Sequence, residues 1–131
     1  MKPLLLLSID DDQAMRVIVT DVAQLAGYQT IDAGTPRTIV SSLDENPDVI
    51  VLDISMPDMD GIEVIFELVK RQWQGELIIL SGFNKEVLSA ATSIATLSGI
   101  KLRACLTKPF NVADLKNTLE SIAIEAACQH S

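Results

Sequence analysis

Apolar runs and helical periods alternate along the whole chain. Residues 4–9 (LLLLSI) form a short unbroken apolar run that stops at three aspartates, a length suited to a strand rather than a helix. Ile18, Val22 and Leu25 then recur at helical spacing, and Gly27 ends that stripe. Residues 28–33 read as a more polar strand, and 36–43 as a weaker helix with Pro36 in its first turn. The cycle repeats with a strand at 48–53 (DVIVLD), a polar loop SMPDMDG, and a helical stripe at Ile62, Ile65 and Leu68. A third apolar strand at 77–80 (LIIL) precedes a helix marked by Val87, Ala91 and Ile94. A mixed strand at 102–106 precedes the last stripe, Val112, Leu115, Leu119 and Ile122, with Asn111 and Asp114 placed as a cap at its start.

Five strand–helix repeats without an internal linker predict an α/β domain with a parallel sheet and right-handed crossovers. Hydropathy also orders the strands. The first, third and fourth are apolar throughout and should be covered on both faces, whereas the second and fifth carry polar positions suited to edges. The order 2-1-3-4-5, a doubly wound sheet, satisfies both conditions.

That topology gathers the chemistry, because ligands of such sheets bind beyond the carboxyl ends of the strands, where the strand order reverses. Strand one runs into Asp10, Asp11 and Asp12, strand three ends in Asp53, strand four ends in Ser81, and strand five runs into Lys108. Crowded carboxylates repel unless a cation intervenes, and hard oxygen donors suit Mg²⁺. Asp53 can serve as a nucleophile toward phosphorus, with Lys108 and the Ser81 hydroxyl placed to meet phosphoryl oxygens. Taken singly these residues have plainer readings: Asp12 and Asp60 as helix caps, Gly61 as a positive-φ or close-packing position, Lys108 as a solvated surface charge.

Composition narrows the partners. A net charge of −8 argues against direct nucleic-acid contact by this domain. Cys105 and Cys128 lack metal-ligand spacing, and a reduced, cytoplasmic setting is expected. No run is long enough for a signal peptide or a membrane span. Trp73 should close the third helix half-exposed and could report optically on the site, while His130 falls in a tail without clear structure.

The stretches IDDDQAMR, VIVLDISMPDMDG, LIILSG and LTKPF, in that order, resemble the motif set of bacterial response-regulator receiver domains of two-component signalling, over nearly the whole chain. The resemblance implies a flavodoxin-like (βα)5 fold over 1–126, with 127–131 a tail or the start of a linker to an output domain. It implies Asp53 as phosphoacceptor and a Mg²⁺ site made by Asp10, Asp11, Asp53 and the Ser55 backbone carbonyl, with Asp11 in direct contact and Asp10 acting mainly through water. Ser81 and Lys108 would contact the phosphate, Ser55 and Phe83 would flank it and tune its lifetime, and the Lys108–Pro109 peptide would be cis. The partner would be a histidine kinase or phosphotransfer protein. The domain would act as a switch, catalysing only its own phosphorylation and dephosphorylation. Homodimerisation through the fourth and fifth helices and a monomer are both compatible with it.

Two departures stand out. Where receivers carry Tyr or Phe three residues before the lysine, this chain has Cys105, expected as a small core residue rather than a redox sensor. The segment between Ser81 and Lys108 is longer than in compact receivers, which predicts a longer fourth helix or a longer loop after it. That form resembles receivers preceding cyclic-di-GMP phosphodiesterase domains. Two rivals fit less well. A phosphatase of the haloacid dehalogenase type would use Asp10 and Asp12 but leave the Asp53 motif unused, and the chain is short for it and lacks its cap insertion and late acidic pair. A phosphorylation-independent docking module of receiver type would be expected to lack an acidic or lysine position, and none is missing.

Overall fold

The computed structural model describes residues 3–55, 60–82 and 84–129. In chain order the elements are β1 (Leu5–Ile9), α1 (Gln13–Leu25), β2 (Gln29–Ala33), α2 (Pro36–Leu43), β3 (Val49–Asp53), α3 (Gly61–Lys70), β4 (Glu76–Ser81), α4 (Lys85–Leu97), β5 (Lys101–Thr107) and α5 (Val112–Gln129). The five strands form one sheet in the order β2-β1-β3-β4-β5. Every pairing is parallel, with Leu7 opposite Ile50, Ile50 opposite Leu77 and Ile79 opposite Cys105.

The unbroken apolar runs are explained by the period of two in an extended strand. Leu7, Ile9, Ile50, Leu52, Leu77 and Ile79 point to one face, where Ile39, Leu43, Ile65, Leu68, Ala91 and Ala95 of α2, α3 and α4 cover them. Leu6, Val49, Val51, Ile78 and Leu80 point to the other, under Val19, Val22, Leu115, Leu119 and Ile122 of α1 and α5. A strand sandwiched this way has no solvent side on which to place polar residues.

The boundaries differ from the sequence reading in instructive places. β2 begins at Gln29: the Tyr28 N–H still bonds back to the Ala23 carbonyl of α1 at 3.0 Å, while its hydroxyl donates to the Leu119 carbonyl at 2.6 Å. The extra length after Ser81 goes into helix: α4 runs 13 residues and joins β5 through only 98–100. The segment read as a tail from residue 127 continues α5 through Gln129, and His130 lies outside the described residues. Trp73 sits past the end of α3, half-buried, with its indole N–H donating to the Pro47 carbonyl at 2.8 Å. That is the amino end of β3 and β4, the opposite edge from the polar strand ends, so Trp73 is no direct reporter on them.

Helix starts are capped as the sequence suggests. Asp12 accepts from the Ala14 N–H and Asp60 from the Ile62 N–H, each satisfying a donor the helix itself leaves free. Asn111 accepts from the Ala113 N–H at the start of α5. Gly61 proves to be a close-packing position, not a positive-φ one: a Cβ there would lie 2.8 Å from the Ile54 Cα. α3 therefore rests directly on the backbone one residue beyond Asp53.

This contact yields an expected outcome. Gly61→Ala should lower the unfolding free energy in urea by about 1–3 kcal/mol through overpacking, despite the higher helix propensity of Ala. A stabilised variant would show that the Ile54 backbone yields freely and that the contact does not hold the strand end.

Candidate functional site

Each polar strand end reaches the carboxyl edge of the sheet as the topology requires. Asp10 and Asp53 are buried, at 1% and 2% exposure, and so is Ser81. One carboxylate oxygen from each of Asp10, Asp11 and Asp53 lies within 4.8 Å of the others. The Lys108 ammonium sits between two of them, donating to Asp53 Oδ2 at 2.7 Å and to Asp10 Oδ2 at 3.2 Å.

The two buried carboxylates are held alike. Each gives one oxygen to Lys108 and the other to a backbone N–H two residues on: Asp10 Oδ1 accepts from Asp12 N at 2.9 Å, and Asp53 Oδ1 from Ser55 N at 2.8 Å. Such pairing compensates charge that burial would otherwise make very costly. Asp11 is half-buried, and its carboxylate has no hydrogen-bond partner among the described residues.

Lys108 is carried into place by the sheet edge, since its backbone N–H donates to the Ser81 carbonyl at 2.7 Å and extends the β4–β5 pairing. The Lys108–Pro109 peptide is cis. Ser81 brings a buried hydroxyl with no hydrogen-bond partner among the described residues. An unsatisfied buried hydroxyl is uncommon in folded proteins. Phe83 lies outside the described residues.

Three features were not assigned from sequence. The Ser55 hydroxyl accepts from the Gly82 N–H at 2.5 Å, tying the turn after β3 to the turn after β4. Arg16 reaches back from α1 to donate to the Asp10 carbonyl at 2.7 Å and pairs with Asp32 at 2.8 Å. Gly34 leaves the space that the Arg16 guanidinium occupies. The available signal was an arginine one helical turn beyond the capping Asp12, a cation beside an otherwise acidic cluster.

Cys105 corrects an expectation: it is exposed, not a core residue. β5 is an edge strand, and α4 meets the sheet through the small Ala91 and Ala95. Beside them an open groove of about 470 Å³ remains, bordered by Ser81, Leu88, Thr92, Cys105 and Thr107. The groove walls still desolvate the sulfur enough to raise its pKa above the ordinary thiol value. That disfavours the reactive thiolate a redox sensor needs.

The electrostatics follow from the same geometry. Burial pushes Asp10 up to about 6, with the Asp53 charge adding to the shift while the Asp12 N–H and Lys108 work against it. Burial alone would lower the Lys108 ammonium, but its bonds to Asp53 and Asp10 outweigh that and hold it above its usual value. A carboxyl that is more basic folded than unfolded binds its proton more tightly in the native state. Its contribution to stability is therefore largest below pH 4 and is lost as pH rises through about 6. With divalent metal removed, wild type should lose about 2 kcal/mol of stability relative to Asp10→Asn between pH 4 and pH 7. Urea denaturation at both pH values measures this, and a constant difference would contradict the raised pKa.

The family model for the response regulator receiver domain matches residues 6–120. The chemotaxis protein CheY of Thermotoga maritima is 28% identical over 121 residues, covering 89% of this chain and 95% of that protein. The KDP operon transcriptional regulatory protein KdpE of Escherichia coli is 33% identical over 115 residues, which is 86% of this chain but only 48% of KdpE. Among solved structures, a response regulator from Colwellia psychrerythraea superposes with a TM-score of 0.83 at 29% identity, covering 95% of this chain and 99% of that one. The chain belongs to the response regulator receiver domain family, the phosphorylation-activated switches of two-component signalling.

Proposed function

We propose that Asp53 is the residue that accepts the phosphoryl group, from a histidine kinase or phosphotransfer protein. The observation that carries this is the two-sided grip on its carboxylate, Oδ1 by the Ser55 N–H and Oδ2 by Lys108, beside the Ser81 hydroxyl, buried and without a partner among the described residues. A carboxylate so held is oriented by its donors, as a nucleophile must be.

The donor set fits Mg²⁺: three carboxylates within one ion's reach, all hard oxygen ligands. Asp11 and Asp53 would contact the ion, with the Ser55 carbonyl as a further ligand and Asp10 acting mainly through water. Asp11 is half-buried and its carboxylate has no hydrogen-bond partner among the described residues, which supports its direct contact. When bound, the ion supplies positive charge against the incoming phosphoryl oxygens.

The chain's own residues do the rest. An Asp53 oxygen attacks phosphorus, and the bond to the donor's leaving group breaks as the new acyl phosphate forms. Lys108 transfers its donation from Asp53 to a phosphoryl oxygen, and the Ser81 hydroxyl gains the acceptor it lacks. Water later attacks the same phosphorus, which releases inorganic phosphate and restores the carboxylate, so the domain catalyses only its own phosphorylation and dephosphorylation. The added charge shifts a two-state surface near α4 and α5.

The setting is proposed as cytoplasmic; among the described residues no helix is long and apolar enough to cross a membrane. The chain spans about half of KdpE, so an output domain in the full protein is also a proposal. The long α4 is the one feature behind a cyclic-di-GMP phosphodiesterase output, and the relatives named above lend that identity no support. Homodimerisation through α4 and α5 would place the shifting surface at an interface between copies.

The test is intact mass after incubation with acetyl phosphate and Mg²⁺. Wild type should gain one phosphoryl group, with no gain in EDTA and none in Asp53→Asn. Absence of any gain, with acetyl phosphate and with a phosphorylated partner protein alike, would leave a phosphorylation-independent docking module. Label on Asp10 would instead point to phosphatase chemistry.

A further inference from the structure

We propose that Arg16 is a positioning residue that aims Asp11 at the metal, an inference that rests on the ligand assignment made above. Asp11 is the one carboxylate of the cluster that no donor holds among the described residues. Its neighbours in sequence are both tied down: Asp10 by Asp12 N and Lys108, Asp12 by the Ala14 N–H it caps. With no donor of its own, Asp11 depends on the Asp10–Asp11 peptide for the point from which its side chain starts.

Arg16 grips that peptide. Its Nη1 donates to the Asp10 carbonyl oxygen at 2.7 Å, while its Nε donates to Asp32 Oδ2 at 2.8 Å. The guanidinium is held at two points, one at the exit of β1 and one on β2, and its side chain is only 16% exposed. Gly34 completes the seat. A Cβ at that position would overlap Nη1 and lie 2.8 Å from Cζ, so the planar group lies against backbone left bare for it. In the preceding peptide, Asp10 N donates to the Ala33 carbonyl at 3.2 Å. The peptides on either side of Asp10 are thereby fixed to the β2 side, which leaves Asp11 little freedom beyond its own side-chain torsions.

The arrangement needs the guanidinium fork and not merely a positive charge. A lysine would keep the charge near the carboxylates but has no rigid pair of donors to span Asp32 and the Asp10 carbonyl. Outer contacts that orient a ligand commonly change metal affinity by about 10- to 100-fold when removed. A contact acting through the backbone should fall at the lower end.

Two substitutions separate positioning from charge and from folding. Arg16→Lys keeps the charge and loses the fork. Gly34→Ala leaves Arg16 in the sequence but displaces its tip, and Gly34 does not occupy the left-handed region, so the backbone accepts alanine. Titration of MgCl2 into the whole chain by calorimetry at neutral pH should show each variant binding about tenfold more weakly, with unfolding temperatures in EDTA close to wild type. The double variant should bind no more weakly than either single one, because Gly34→Ala has nothing left to displace once the guanidinium is gone. Wild-type affinity in both variants, or additive losses that track falling unfolding temperatures, would overturn the inference. No Mg²⁺ binding by wild type would overturn the ligand assignment and this inference with it; normal wild-type binding with unaffected variants would overturn this inference alone.

Discussion

The Lys108 ammonium shared between Asp53 and Asp10 is the interaction on which the polar edge of the sheet depends. Two carboxylates buried side by side repel each other and have lost most of their hydration, and without a cation at least one would take up a proton. The raised pKa of Asp10 shows how near that limit the pair sits even with the lysine in place. The cation comes from the end of β5, two strands away from β3, whereas Asp10 comes from β1 on its other side. Charge balance at the site is thus a property of the whole sheet: a slip in β4–β5 register would move Lys108 and leave the acidic pair unpaired.

The frame that delivers these groups was readable because burial on both faces writes a simple pattern. Ile50 and Val51, or Ile78 and Ile79, are adjacent in sequence and serve opposite cores, so central strands read as solid apolar runs and edge strands as mixed ones. That contrast separates central strands from edges, and the doubly wound order 2-1-3-4-5 that satisfies it sends Asp10, Asp53, Ser81 and Lys108 to one edge. The caps by Asp12 and Asp60 were equally legible, being local contacts two residues long.

What the sequence did not disclose depends on distances between elements. Cys105 was expected inside because free cysteines usually are; it lies outside because α4 approaches the sheet on two alanines and leaves the β5 edge open beside them. Trp73 reads as a helix terminus, yet it packs past α3 against the Pro47 carbonyl at the far edge of the sheet. Arg16 stands in full view beside the acidic residues, but its grip on the Asp10 carbonyl depends on the crossing of α1 over β2 and on the missing side chain of Gly34. None of these is a periodicity, so no reading of periods could find them.

The open groove bears on how a signal could leave the site. With Cys105 on the edge strand, no large side chain of β5 fills the space beside Ser81, so that path offers little volume change to transmit. A tighter link lies elsewhere. The Ser55 hydroxyl accepts from Gly82 N, and Ser55 N also donates to Asp53, so one residue joins the carboxylate to the turn leading into α4. A pull on Asp53 would reach Ser55 through one hydrogen bond and the residue after β4 through a second. Packed cores respond to such a pull by switching between discrete arrangements rather than by stretching. Here the short polar chain Asp53–Ser55–Gly82 joins the ends of β3 and β4, whereas the groove beside β5 leaves open space.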